Sequence, residues 1–128
     1  MRQNSKAMLP IKGIYEIAIK VGDLSRAERF YCDVLNLEVG IRDDRRNWIF
    51  LRAGGDAGMI VLQEDKTSFS TQHFAFTVDE SDIENVRDVL STRGVEVSEV
   101  MFHEWMPAKS IYFNDPDGNA LELCAPVK

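Results

Sequence analysis

Two cysteines, four prolines and two histidines in 128 residues are a thin supply of the groups that staple or metallate small domains. Cys32 and Cys124 stand in different expected elements and match no paired metal spacing such as Cys-x-x-Cys, so reduced thiols serving as small apolar filler are expected of both rather than a bridge. No apolar run approaches the ~20 residues that span a bilayer, and residues 1–10 are too polar for a secretory signal. The chain therefore reads as cytoplasmic, with no membrane partner. Basic residues are in deficit, 15 Lys and Arg against 21 Asp and Glu for a net charge of −6, and they are scattered, which argues against nucleic acid as a partner. Phosphate-binding glycine loops, nucleotide fingerprints and Ser-His-Asp arrangements are missing too. Gly54-Gly55 is only a turn, so nucleotide-dependent chemistry and hydrolysis by an activated serine are disfavoured.

What is present is ordinary for a globular chain, 45% hydrophobic and 28% charged. At this length it forms one domain that buries roughly two-thirds of its unfolded surface. The organising feature is an internal repeat: the stretch beginning at Gly13 aligns with that beginning at Ser70, with Glu16 over His73 and Val21 over Val78. In the first copy Ile17, Ile19 and Val21 point one way and Glu16, Ala18 and Lys20 the other. In the second, Phe74, Phe76 and Val78 oppose His73, Ala75 and Thr77. Both have the period of a strand with one buried face. Ser25 to Glu28 and Ser81 to Glu84 predict helices opened by capping boxes, with apolar stripes Ala27, Phe30, Tyr31, Val34, Leu35 and Ile83, Val86, Val89, Leu90. Second strands are expected to begin at 36–39 and 93–97. Each half then closes in a hairpin, 47–51 with 58–63 around Gly54-Gly55, and 110–113 with 120–124 around Asp115-Pro116-Asp117-Gly118. The reading is an α+β protein of two βαβββ modules, 13–64 and 72–126, joined by a polar linker at 65–71 and preceded by a loose tail at 1–12.

Helices that cover the apolar faces leave the opposite faces to meet each other or a ligand. Alternation puts Glu16, Ala18, Trp48, Phe50, Met59 and Val61 there from the first module, and His73, Ala75, Ser110, Tyr112 and Glu122 from the second. Two carboxylates and an imidazole among apolar and aromatic neighbours are the lining of a small-molecule pocket. Glu16, His73 and Glu122 make an oxygen and nitrogen ligand set for a divalent Fe, Mn, Ni, Co or Zn ion, with positions left open for water or substrate. The alternative is a solvated strand carboxylate, a hydrogen-bonded histidine and a carboxylate that binds no metal. Trp48, Phe50, Met59, Val61, Trp105, Ser110 and Tyr112 are the candidate contacts of a substrate or drug, with core or dimer packing the alternative for the aromatics and Met59. Tyr112 is the candidate donor to a substrate oxyanion, and Glu122 or Glu16 the candidate proton carrier. His103, in the segment that joins the last three strands, reads as a surface histidine.

Val21-Gly22-Asp23-Leu24 leading to Phe30-Tyr31-Cys32-Asp33-Val34-Leu35, and the ending Ser110-Ile111-Tyr112-Phe113-Asn114-Asp115-Pro116-Asp117-Gly118-Asn119-Ala120-Leu121-Glu122-Leu123, resemble the vicinal oxygen chelate superfamily. This is also called the glyoxalase/bleomycin resistance/dioxygenase family, and the resemblance runs over roughly residues 13–126. It implies a U-shaped, partly open eight-stranded barrel-like cleft, metal ligands on the first and fourth strands of each module, and a homodimer. Carried onto this chain, the first-strand positions are Glu16 and His73 and the fourth-strand positions Val61 and Glu122. Val61 cannot bind metal, and Glu16 stands where many members have His. The four-ligand pattern of glyoxalase I and the two-histidine triad of extradiol dioxygenases and fosfomycin-modifying enzymes are thus both altered.

The expected function is that of a divalent-metal-dependent lyase, isomerase or dioxygenase whose small substrate chelates the ion through neighbouring oxygens. One alternative is a metal-free drug-binding protein of the bleomycin-resistance type. The other is a fosfomycin-modifying thiol transferase, suggested by Lys109 and Ser110, which resemble that branch's anion-binding positions.

Overall fold

Each half of the repeat folds into one four-stranded sheet covered by one helix. The first half runs β1 (Glu16–Val21), α1 (Leu24–Arg29), β2 (Glu38–Asp43), β3 (Trp48–Arg52) and β4 (Met59–Glu64). The second runs β5 (His73–Thr77), α2 (Ile83–Thr92), β6 (Met101–His103), β7 (Ala108–Asn114) and β8 (Ala120–Pro126). This computed structural model describes residues 10, 12–55 and 58–127, so most of the expected tail at 1–12 lies outside the described residues. Strand orders are β1-β4-β3-β2 and β5-β8-β7-β6. β1 and β5 run parallel to β4 and β8, and the other neighbours are antiparallel. The architecture is the expected α+β pair of βαβββ modules, with open, unclosed sheets.

Burial follows the alternation. Ile19, Val21, Ile49, Leu51, Ile60 and Leu62 from the first sheet join Phe74, Ile111, Phe113, Leu121 and Leu123 from the second in a single core, with Ala27, Tyr31, Ile83 and Leu90 from the helical segments. The two modules thus share their helix-covered faces, and the faces carrying Glu16, Ala18 and Lys20, and His73, Ala75 and Thr77, are exposed.

Three local expectations are corrected. The capping boxes do not form. Asp23 follows β1 closely and caps α1 first, its carboxylate accepting the Arg26 N–H at 3.0 Å, so Ser25 and Glu28 already lie within the helix. Ser81 lies in a tight 3₁₀ turn, Glu80–Asp82, ahead of α2. The second strand of the second module starts at Met101 rather than at 93–97, because Val95, Val97 and Val100 pack on the core instead of joining a ladder. The first helical stripe is not one α-helix either. After Arg29 the chain widens, and the Leu35 N–H reaches back five residues to the Phe30 carbonyl at 3.2 Å.

The Asp115-Pro116-Asp117-Gly118 turn fastens the modules together. Asp115 accepts from the fully buried Tyr31 hydroxyl at 2.7 Å, and Asp117 accepts from the Gly22 N–H at 2.9 Å and from Arg26 at 2.8 Å. A Cβ on Gly22 would stand 3.3 Å from that Asp117 oxygen, so glycine permits the close approach. Among the described residues, no helix is long and apolar enough to cross a membrane.

Candidate functional site

Glu122 on β8 is only 8% exposed, and a carboxylate so buried requires partners. Ser110 on β7 donates to its Oε2 at 2.6 Å, and His73 Nε2 lies 3.2 Å from its Oε1. Strand register brings this about. His73 pairs with Ala120 and Ala75 with Glu122, which makes His73 and Glu122 diagonal neighbours on the open face of the second sheet. His73 Nδ1 is 3.0 Å from the Ala120 carbonyl oxygen. A carbonyl only accepts, so Nδ1 donates to it and Nε2 is the ring nitrogen turned towards Glu122. Two ligand-capable atoms therefore converge, each on a side chain whose other heteroatom is fastened, the supporting arrangement that metal ligands require.

Tyr112 faces the same side, directly across from Glu122 on β7. Burial pushes its phenol up from the usual range, and the Glu122 charge adds to the shift. Its hydroxyl lies 2.6 Å from His103 Nε2, a contact the sequence reading missed. The pairing of His103 with Ala108 turns the imidazole onto the open face. With β6 misplaced to 93–97, that alternation was not visible. Lys109 lies on the opposite face, where its ammonium pairs with Glu80 at 3.1 Å, so it is no anion-binding group of this site. Cys32 and Cys124 are free thiols, and burial pushes the Cys32 thiol up, away from reactivity.

The first sheet repeats the geometry with different side chains. Glu16 pairs with Met59 and Ala18 with Val61, so Glu16 occupies the place of His73 and Val61 that of Glu122. Phe50, across from Val61, stands where Tyr112 does, and Trp48 where Ser110 does. Met59, Val61 and Ser110 are buried, Trp48 and Phe50 half-buried with ring centroids 6.5 Å apart, and Trp105 is 81% exposed. Glu16 is exposed on this sheet and does not reach His73 and Glu122. No three metal-ligating side chains come together among the described residues. Of the three residues expected to share an ion, the chain brings two together, His73 and Glu122.

A family model described as the Glyoxalase/Bleomycin resistance protein/Dioxygenase superfamily matches residues 13–123. The chain belongs to that superfamily. It is 32% identical over 119 residues to metallothiol transferase FosB of Staphylococcus saprophyticus, a match covering 88% of this chain and 76% of that protein. Among solved structures, an integron cassette protein from the mobile metagenome of the Halifax Harbour sewage outfall is 46% identical at a TM-score of 0.86, covering 90% of this chain and 99% of the other. TnmS3, an antibiotic binding protein from Streptomyces sp. CB03234, shares the fold at a TM-score of 0.79 and 21% identity, over 94% of this chain and all of the other at 100%.

Proposed function

We propose that this protein is a divalent-metal-dependent enzyme acting on a small substrate that presents neighbouring oxygens, and that it works as a homodimer in which Glu16 of one chain completes the His73–Glu122 pair of the other. The observation that carries the reading is the 3.2 Å convergence of exposed His73 Nε2 and buried Glu122 Oε1 on the sheet face turned away from the core. A divalent ion held there supplies Lewis-acid polarisation of the substrate oxygens. The chain's own groups do the rest. The Ala120 carbonyl fixes the His73 ring, Ser110 orients Glu122, and the Tyr112 hydroxyl donates to an oxygen that gains negative charge. The similarity to a metallothiol transferase supports thiol transfer ahead of lyase, isomerase or dioxygenase chemistry.

The test is elemental analysis of differently tagged heterodimers. Parent protein is expected to hold about one ion per chain, and Glu16→Ala, His73→Ala and Glu122→Ala homodimers none. A heterodimer of Glu16→Ala with His73→Ala regains one intact site and about one ion per dimer. Failure of the heterodimer to recover metal overturns the shared site, and absence of metal from the parent overturns the enzyme reading.

A metal-free binding protein is the second reading, favoured by the aromatic pair Trp48 and Phe50 and by the Arg46 guanidinium 5.1 Å from the Trp48 ring centroid. Tight binding of an aromatic drug by metal-free parent protein selects it.

A further inference from the structure

We propose that His103 is a positioning residue of this site, holding the Tyr112 hydroxyl through their 2.6 Å contact so that the phenol can donate to an anionic oxygen of the bound ligand. The inference rests on the reading of this face as a ligand site and adds to it a residue and a ligand chemistry. β6 is a short edge strand whose Met101 and Phe102 are exposed, yet His103 is drawn in against the sheet. Its ring meets Tyr112 edge to face with centroids 6.1 Å apart, and Trp105 lies 6.5 Å away. The Tyr112 backbone is also clamped, its N–H donating to Ser98 Oγ and its carbonyl accepting the Ser98 N–H, both at 3.0 Å. A tyrosine fixed at both main chain and hydroxyl, directly across from Glu122, is preorganised.

The chemistry of the pair selects the ligand. One hydrogen lies between imidazole nitrogen and phenol oxygen. When Nε2–H donates it, the phenol keeps its own O–H for a third partner. When the phenol donates it, only lone pairs remain for that partner. An anionic oxygen (carboxylate, phosphonate or catecholate) selects the first arrangement, so His103 favours ligands that arrive as oxyanions. A neutral ligand gains less from the pair.

The probe is 4-nitrocatechol, titrated by absorbance against the full-length protein carrying the metal it retains. Tyr112→Phe is expected to weaken binding about ten- to a hundredfold, the loss of one hydrogen bond to a charged group, and His103→Phe, which leaves the phenol in place but unpositioned, about five- to tenfold. Because His103 acts through Tyr112, the double variant binds no worse than Tyr112→Phe alone. His103→Gln, whose amide N–H can donate to the phenol, stays within about twofold of the parent. Metal content is unchanged in all four. Spectra of protein labelled at tyrosine Cζ separate the effect from misfolding: the chain has three tyrosines, and only the Tyr112 signal should move in His103→Phe and return in His103→Gln. Multiplicative losses in the double variant, or a His103→Phe protein that binds the probe like the parent, overturn the proposal. If the parent retains no metal, the metal reading fails on its own, and the same titrations on the metal-free chain decide the role of His103; no probe binding by either form overturns it.

Discussion

Tyr31→Phe removes one oxygen from the joint between the modules, and its cost can be worked from the geometry. The Tyr31 hydroxyl is one of four donors on Asp115. It shares Oδ2 with the Asn119 side-chain amide at 2.8 Å, while Oδ1 takes the backbone N–H groups of Asp117 and Asn119 at 2.9 and 2.8 Å. Burial pushes the phenol far above its usual range, with the Asp115 charge adding to the effect, so Tyr31 remains a donor at every working pH. A buried hydrogen bond to a charged acceptor contributes about 1.5–3 kcal/mol. Three donors still satisfy Asp115 in the variant, so the loss falls near the lower end, about 1.5–2 kcal/mol. In urea, with a slope of roughly 1–3 kcal/mol/M, the midpoint drops by about 1 M at fixed protein concentration. Asp115→Asn should cost more, about 3 kcal/mol, because its amide confronts a donor wherever it points. The double variant should lose clearly less than the sum, since both changes break the same bond. A Tyr31→Phe midpoint within error of the parent, or full additivity, would refute the view that this contact fastens the modules.

Two further outcomes follow from the structure. The Arg26 N–H holds the Asp23 carboxyl below its usual value. The unfolded chain therefore protonates first, and the cap's contribution is complete above the ordinary carboxylate range and disappears as the pH falls through the lowered folded value. Asp23→Asn, which keeps an acceptor, should flatten the decline in melting temperature below about pH 4, and an unaltered decline would discount the cap. Val61→Glu puts a carboxylate at the place equivalent to Glu122, but beside Phe50 and Trp48 rather than a serine, so it should lose about 3 kcal/mol or more in chemical denaturation without gaining metal; an undiminished stability with extra bound metal would show a working first-module site.

Most of the fold was legible because alternation and repeats are local. The open-face residues from Glu16 to Glu122 fell on the expected side, since side-chain direction in a strand depends only on parity. Capping was misread because Asp23 competes with Ser25 for the same amides and stands ahead of it. β6 was misread because the valines at 95, 97 and 100 alternate as a strand would yet serve the core. His103 was unreadable for a related reason: its partner is set by the register of an edge strand, a long-range property.

The sequence by itself determined the two modules, their buried faces and the side of each strand on which Glu16, His73 and Glu122 stand, because hydrophobic period and turn chemistry act over a few residues. Tertiary structure alone decided which of those residues meet. Tyr31 and Asp115, 84 positions apart, close the joint between modules. The two segments that carry the family resemblance meet there, and so they report the fold more than the reaction. His73 and Glu122 converge through the pairing of β5 with β8, while Glu16, in the matching place on the other sheet, remains apart. Contacts between distant segments depend on how whole faces pack, and no local pattern encodes that.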